Sequence, residues 1–148
     1  MKMKKRILAT ILCICTLFGM VGAYSASADN LTPADDFLEL GNTLDWKNIA
    51  TISLAMSYNN GTITSEGRVT GQSGTTKITA SFVLAKQGAN GVFSVVDSWS
   101  ASSDSIMLSS SRTTSGMTAG TYKLTVTTTV TRNGTNETVT ESLTKTLS

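Results

Sequence analysis

Gly120-Thr121-Tyr122-Lys123-Leu124-Thr125-Val126-Thr127-Thr128-Thr129-Val130-Thr131-Arg132 decides the fold class. Tyr122, Leu124, Val126 and Val130 alternate with Lys123, Thr125, Thr127, Thr129 and Thr131. Side chains of a strand point alternately to its two faces, so one face here is apolar and the other polar. Threonine is β-branched and polar and suits a strand face that meets water. Asn133-Gly134-Thr135-Asn136 then turns the chain into a last strand over 137–147. Two registers keep the faces of this hairpin consistent. A two-residue turn sets Val130 opposite Glu137 and Val126 opposite Glu141. A four-residue loop sets Val130 opposite Val139, Val126 opposite Leu143 and Arg132 opposite Glu137. The second matches apolar with apolar and charge with counter-charge, and is the expected one. Glu141 and Lys145 still fall on the inner face of the last strand. Inward charges of this kind blunt an exposed sheet edge.

The same period of two runs upstream from Ile49. In 50–58 Ala50, Ile52, Leu54, Met56 and Tyr58 share one face. Asn59-Asn60-Gly61 is a hairpin turn, because Asn and Gly tolerate positive φ. A two-residue turn at Asn60-Gly61 sets Tyr58 opposite Ile63 and Ile52 opposite Val69, all on one face. Further strands are expected at 62–70, at 77–85 with Ile78, Ala80, Phe82 and Leu84 inward, and at 92–100 with Phe93, Val95 and Trp99 on one face. That pairing lets Leu84 meet Phe93 and Phe82 meet Val95. Eight of the sixteen residues in Ser100–Ser115 are serine. No proline accompanies them, so this is not a mucin-like stalk, and Ile106-Met107-Leu108 marks a short strand inside it. Seven short strands with no long helix argue an all-β sandwich over 49–148.

Residues 29–48 differ. They hold five of the ten acidic residues, Asp29, Asp35, Asp36, Glu39 and Asp45. Thr32-Pro33-Ala34-Asp35 has the order of a helix start: a capping Thr, a tolerated Pro, then a carboxylate. A short helix over roughly 33–40, on an N-terminal arm, is expected.

The first residues read as a secretory signal. Met1-Lys2-Met3-Lys4-Lys5-Arg6 is basic, Ile7–Val21 is apolar, and Ala26-Ser27-Ala28 offers the small side chains of a cleavage site. The expected cut follows Ala28, which makes the protein secreted. The apolar run of 15 residues is short against the roughly 20 a spanning helix needs. No membrane span is expected after signal removal. Removal also takes Lys2, Lys4, Lys5 and Arg6, which leaves 8 basic against 10 acidic residues and a net charge of −2. No basic patch for nucleic acid remains. Cys13 and Cys15 leave as well, so the 120-residue mature chain must hold together by core burial alone.

Chemistry is excluded more readily than found. Without histidine or a mature cysteine, Ser-His-Asp and Cys-His catalysis and His- or Cys-ligated metal sites fall away, and no cofactor motif occurs. Asp97 and Asp104 are the candidate carboxylate pair. Ser142-Leu143-Thr144-Lys145 has the spacing of a Ser-Lys pair, but residues three apart on a strand face opposite ways. Trp46 and Trp99 are the candidate ligand-binding aromatics, able to stack on sugar rings. Tyr58 and Tyr122 fall at core positions.

Gly120-Thr121-Tyr122-Lys123-Leu124-Thr125-Val126 resembles the penultimate strand of immunoglobulin-like and fibronectin-type sandwiches. There a Tyr after a Gly-containing turn forms a tyrosine corner, and the resemblance implies structural roles for Gly120 and Tyr122. Leu84–Phe93, followed by Val96-Asp97-Ser98-Trp99-Ser100, is similar to a hairpin of small secreted single-domain proteins of Gram-positive bacteria. The resemblance covers most of 49–148 and implies a fold and a compartment, with no catalytic residue. The expected function is a secreted, non-enzymatic module that binds a protein or glycan at the cell surface. The alternatives are a carbohydrate-binding module using Trp46 and Trp99, and an extracellular hydrolase with a carboxylate pair.

Overall fold

A computed structural model of the chain describes residues 45–148 and the backbone of 38–40. Eight strands form two four-stranded antiparallel sheets: β1 (Leu38–Leu40), β2 (Ile49–Asn59), β3 (Thr62–Gly71), β4 (Thr75–Gln87), β5 (Phe93–Ser103), β6 (Met107–Ser115), β7 (Gly120–Arg132) and β8 (Thr135–Leu147). The first sheet has the order β1-β2-β3-β6 and the second β5-β4-β7-β8. Seven of the strands lie within 49–148, in the two-layer all-β sandwich that the period-two pattern implies.

The turn between β2 and β3 has Asn60 at φ 46° and Gly61 at φ 78°. It sets Tyr58 opposite Ile63 and Ile52 opposite Val69, the register expected from the Asn-Gly pair. The other Asn-Gly turn overrules the expected register. Asn133 at φ 49° and Gly134 at φ 77° make a two-residue turn, with Arg132 opposite Thr135, Val130 opposite Glu137 and Val126 opposite Glu141. The four-residue loop favoured on side-chain matching does not form, for two reasons. The turn's own geometry follows the strand twist. Glu137 also has another partner: its carboxylate accepts the backbone N–H of Lys47, Asn48 and Ile49 at 2.9, 2.7 and 3.2 Å.

β5 also departs from expectation. Its register against β4 slips after Leu84, so that Leu84 faces Asp97 while Ala85 faces Val95. Residue Val96 is the extra one. A bulge of one residue exchanges the faces of the strand beyond it. Trp99 therefore points inward opposite Phe82, whereas Val95 is 66% exposed and Phe93 stands opposite Gln87 instead of Leu84. On that outer face the ammonium of Lys123 lies 4.6 Å from the Phe93 ring centre. The serine-rich stretch is mostly strand: β5 runs to Ser103 and β6 spans nine residues.

The expected helix over 33–40 is not formed at its C-terminal end. Leu38–Leu40 instead pair with Leu54, Ser53 and Ile52 of β2. The edge of β2 offers these three residues backbone partners that a helix there would forgo. Residues 33–37 of that expected helix lie outside the described residues, as do the expected leader and the expected cut after Ala28.

Phe82 sits at the centre of the core. It is fully buried and stacks on Trp99 with ring centroids 5.1 Å apart and planes 10° from parallel. Gly67 of β3 makes room for it, since a Cβ there would lie 2.3 Å from Phe82 Cε1. Thr128 interrupts the apolar series of β7 and is buried, its hydroxyl satisfied by the Thr79 carbonyl at 3.0 Å. Ser65 is fully buried too, but its hydroxyl has no partner. An unpaired buried hydroxyl carries its desolvation cost uncompensated. Ser65→Ala is therefore expected to raise stability by about 1 kcal/mol. The measurement is a urea midpoint that moves up at unchanged slope; a midpoint that moves down would show that the hydroxyl stabilises the fold.

Candidate functional site

The outer face of the second sheet is a block of hydroxyl groups. Register places Ser102, Thr79, Thr129 and Thr138 in one row across β5, β4, β7 and β8. The next row is Ser100, Ser81, Thr127 and Thr140, and the one after is Ser98, Val83, Thr125 and Ser142. No charge falls in these rows. Neighbouring hydroxyls bond sideways, Thr129 to Thr138 at 2.8 Å, Thr127 to Thr140 at 3.0 Å and Ser81 to Ser100 at 3.5 Å. Such pairs fix rotamers and leave the remaining lone pairs and protons facing water. A shallow depression of about 490 Å³ opens here, lined by Thr79, Ser81, Ser100, Ser102, Thr127 and Thr129.

The seam where β5 meets β6 carries charge by contrast. Asp97 Oδ2 accepts from Arg112 Nε at 3.1 Å and from the Thr114 hydroxyl at 2.8 Å, and Oδ1 accepts the Ser98 N–H at 2.8 Å. The bonds from Arg112, then Thr114, hold the Asp97 carboxyl below its ordinary range against the opposing effect of burial. The Trp99 indole N–H donates to Ser110 Oγ at 3.0 Å.

These contacts place the residues singled out from the sequence. Trp99 is half-buried, with one ring face on Phe82 and its N–H on Ser110. Trp46 is half-buried, packed against the core just before β2. The two do not form one platform. Lys47–Ile49 is held by Glu137 on β8, whereas Trp99 lies on β5, three strand spacings away or about 14 Å. Asp97 and Asp104 are separated by seven positions, about 20 Å of strand, beyond the roughly 5–9.5 Å that a carboxylate pair spans. Ser142 is exposed on the outer face of β8 and Lys145 is half-buried on the inner one. Among the described residues no group of three or more His, Cys, Asp or Glu is placed to hold a metal ion.

Tyr122 is fully buried. Its hydroxyl donates to the Thr118 carbonyl, four residues upstream, at 2.7 Å. Lys86 lies against the same ring, its ammonium 5.4 Å from the centroid, and bonds the Thr118 hydroxyl. Gly120 has φ 152°, outside the range side-chain-bearing residues favour.

The stretch just before β2 carries no sequence pattern that marks its contacts. Asn48 is buried and its amide donates to the Val130 and Thr135 carbonyls, both at 3.1 Å. Arg132 donates to the Ser73 carbonyl at 2.7 Å and to the Lys47 carbonyl at 3.3 Å. Burial works to raise the Glu137 pKa, but the three backbone N–H bonds outweigh it and hold the carboxyl below the usual range. The folded pKa lies below the unfolded one. This stabilisation is therefore complete above the ordinary glutamate value of about 4.3 and fades as pH falls through the folded value. Glu137→Gln is expected to lower stability at pH 7 by about 1 kcal/mol and to flatten the acid limb of the stability–pH curve. Parallel curves for the two proteins would show that Glu137 is not what acid releases.

No helix among the described residues is long and apolar enough to cross a membrane. No protein-family model matches the chain, and no curated protein does.

Proposed function

We propose that this chain is a secreted, non-enzymatic, immunoglobulin-like binding module, cut after Ala28, that holds a glycan or a glycan-bearing partner outside the cell through the outer face of its second sheet. The observation that carries the reading is the uncharged hydroxyl block, three rows deep across four strands. A face of fixed, neutral donors and acceptors suits a ligand that is itself neutral and rich in hydroxyls. It offers nothing to polyanions, which need Lys and Arg. Strand order supports the immunoglobulin-like assignment. Beside the added edge strand β1, the order β2-β3-β6 against β5-β4-β7-β8 is the one expected where strands A, B and E face C′, C, F and G, and the bond from the Tyr122 hydroxyl to the Thr118 carbonyl supports a tyrosine-corner role for Tyr122. The Gram-positive compartment rests on the leader and the hairpin resemblance.

Glycan-array binding with the purified protein tests the reading, against Ser81→Arg and Thr127→Arg. Each puts a bulky charge in the middle row while leaving the core untouched. At least a tenfold loss of affinity is expected from either. Unchanged binding moves the site elsewhere, and specific glycan hydrolysis abolished by Asp97→Asn would replace the module with an enzyme. Mass spectrometry of secreted material tests the address: loss of residues 1–28 is expected, and full-length protein in the membrane fraction contradicts it.

A further inference from the structure

We propose that β6 is a self-association edge, through which two copies of this chain pair their β6 strands antiparallel about a two-fold axis and fuse their first sheets into one. The proposal is independent of the glycan reading, which uses the other sheet. Among the described residues four strands stand at sheet edges: β1, β6, β5 and β8. Three carry devices that discourage pairing. β8 has the inward charges Glu141 and Lys145, the latter donating to the Met56 carbonyl at 3.3 Å. β5 is bulged. β1 is three residues long.

β6 carries none of these. Its nine residues run in unbroken register with β3, from Met107 opposite Thr70 to Ser115 opposite Thr62. It contains no proline, and its one charged residue, Arg112, is already neutralised by Asp97 at 3.1 Å. The Gly71 N–H bonds the Ile106 carbonyl at 2.8 Å, so even-numbered residues of β6 bond to β3. Alternation then turns the N–H and C=O of Met107, Ser109, Ser111, Thr113 and Ser115 outward.

A two-fold axis at Ser111 pairs Ser111 with its own copy, Ser109 with Thr113 and Met107 with Ser115, about ten main-chain hydrogen bonds in all. Arg112 then faces Ser110, so like charges are not set opposite each other. Ile106 and Met107, 43% and 48% exposed, come against the far end of the second strand and lose apolar surface to it. A nine-residue strand in unbroken register, whose single charge is paired with Asp97, meets in its own copy a full set of main-chain partners with no like charges opposed.

Sedimentation of the purified protein from about 10 μM to about 1 mM, the range of weak complexes, tests this. A concentration-dependent dimer is expected. Ser111→Pro removes one outward N–H and leaves the β3 ladder whole, and should weaken association at least tenfold. Ser142→Pro, which removes an outward N–H from the guarded edge of β8, should leave it unchanged. Ser111→Lys, which sets two ammonium groups at the axis, repeats the test should the proline variant fold poorly. Amide exchange adds a separate readout: Ser109, Ser111 and Thr113 should slow as concentration rises, while Leu108 and Ser110 stay protected throughout. A monomer at every concentration, or a dimer indifferent to both Ser111 variants, overturns the proposal.

Discussion

Phe82→Ala is expected to lower stability by about 3–5 kcal/mol, a large part of the 5–15 typical of a domain, with a fall in Tm on the order of 15–25 °C. The ring is fully buried, stacked on Trp99 5.1 Å away, and seated over the bare backbone of Gly67. Removing it takes away its transfer free energy and leaves a cavity that a rigid sheet cannot close. The same geometry predicts a coupling. Gly67→Ala alone drives a Cβ to 2.3 Å from the ring and should cost about 1–3 kcal/mol by overpacking. In a Phe82→Leu background the smaller side chain frees that space, and most of the Gly67→Ala penalty should vanish. Additive losses in a double-mutant cycle would show that Gly67 and Phe82 do not share the site.

Tyr122→Ala should cost a similar 3–5 kcal/mol, and its companion substitution separates two causes. Tyr122→Phe keeps the buried ring and removes only the hydroxyl that donates to Thr118 at 2.7 Å, for about 1 kcal/mol. That hydroxyl ties the segment before β7 to the strand itself. The Phe variant should therefore also speed amide exchange around Thr118 with little change in the centre of β7. Equal melting of both variants and the parent would place the ring outside the core. A Phe variant as unstable as the Ala one would make the hydroxyl, not the ring, the larger contributor.

Several elements could be read directly because one local rule governed them without competition. β7 alternates apolar and polar residues with one exception, Thr128, whose hydroxyl is taken up by a carbonyl of β4. Asn60-Gly61 fixed its hairpin because turn chemistry and face pattern agreed. Where the two disagreed, at Asn133-Gly134, pattern matching favoured the wrong register. In sequence Glu137 is a charge without a counter-charge, whereas its partners are three backbone N–H groups about ninety residues away. The bulge at Val96 left no composition signal, and it decided which of Phe93, Val95 and Trp99 faced inward. The hydroxyl block could be anticipated along each strand as outward Ser and Thr, but not as rows, because rows depend on the registers of three strand pairs at once.

The sequence by itself determined the class of fold and the distribution of its faces. The two-residue period, the Asn-Gly turns, the absence of histidine and the absence of cysteine beyond Cys15 are local facts, and each acts within a few residues of itself. Tertiary structure decided which strands are neighbours, which edges are guarded and which polar groups meet. Asp97 finds Arg112 and Thr114, Asn48 finds Val130 and Thr135, and Ser and Thr from four strands fall into line across a sheet. The physical reason is that a backbone N–H donates to, and a carboxylate accepts from, any partner of the right geometry. The choice among distant partners is made by how two sheets pack and register, which no window along the chain contains.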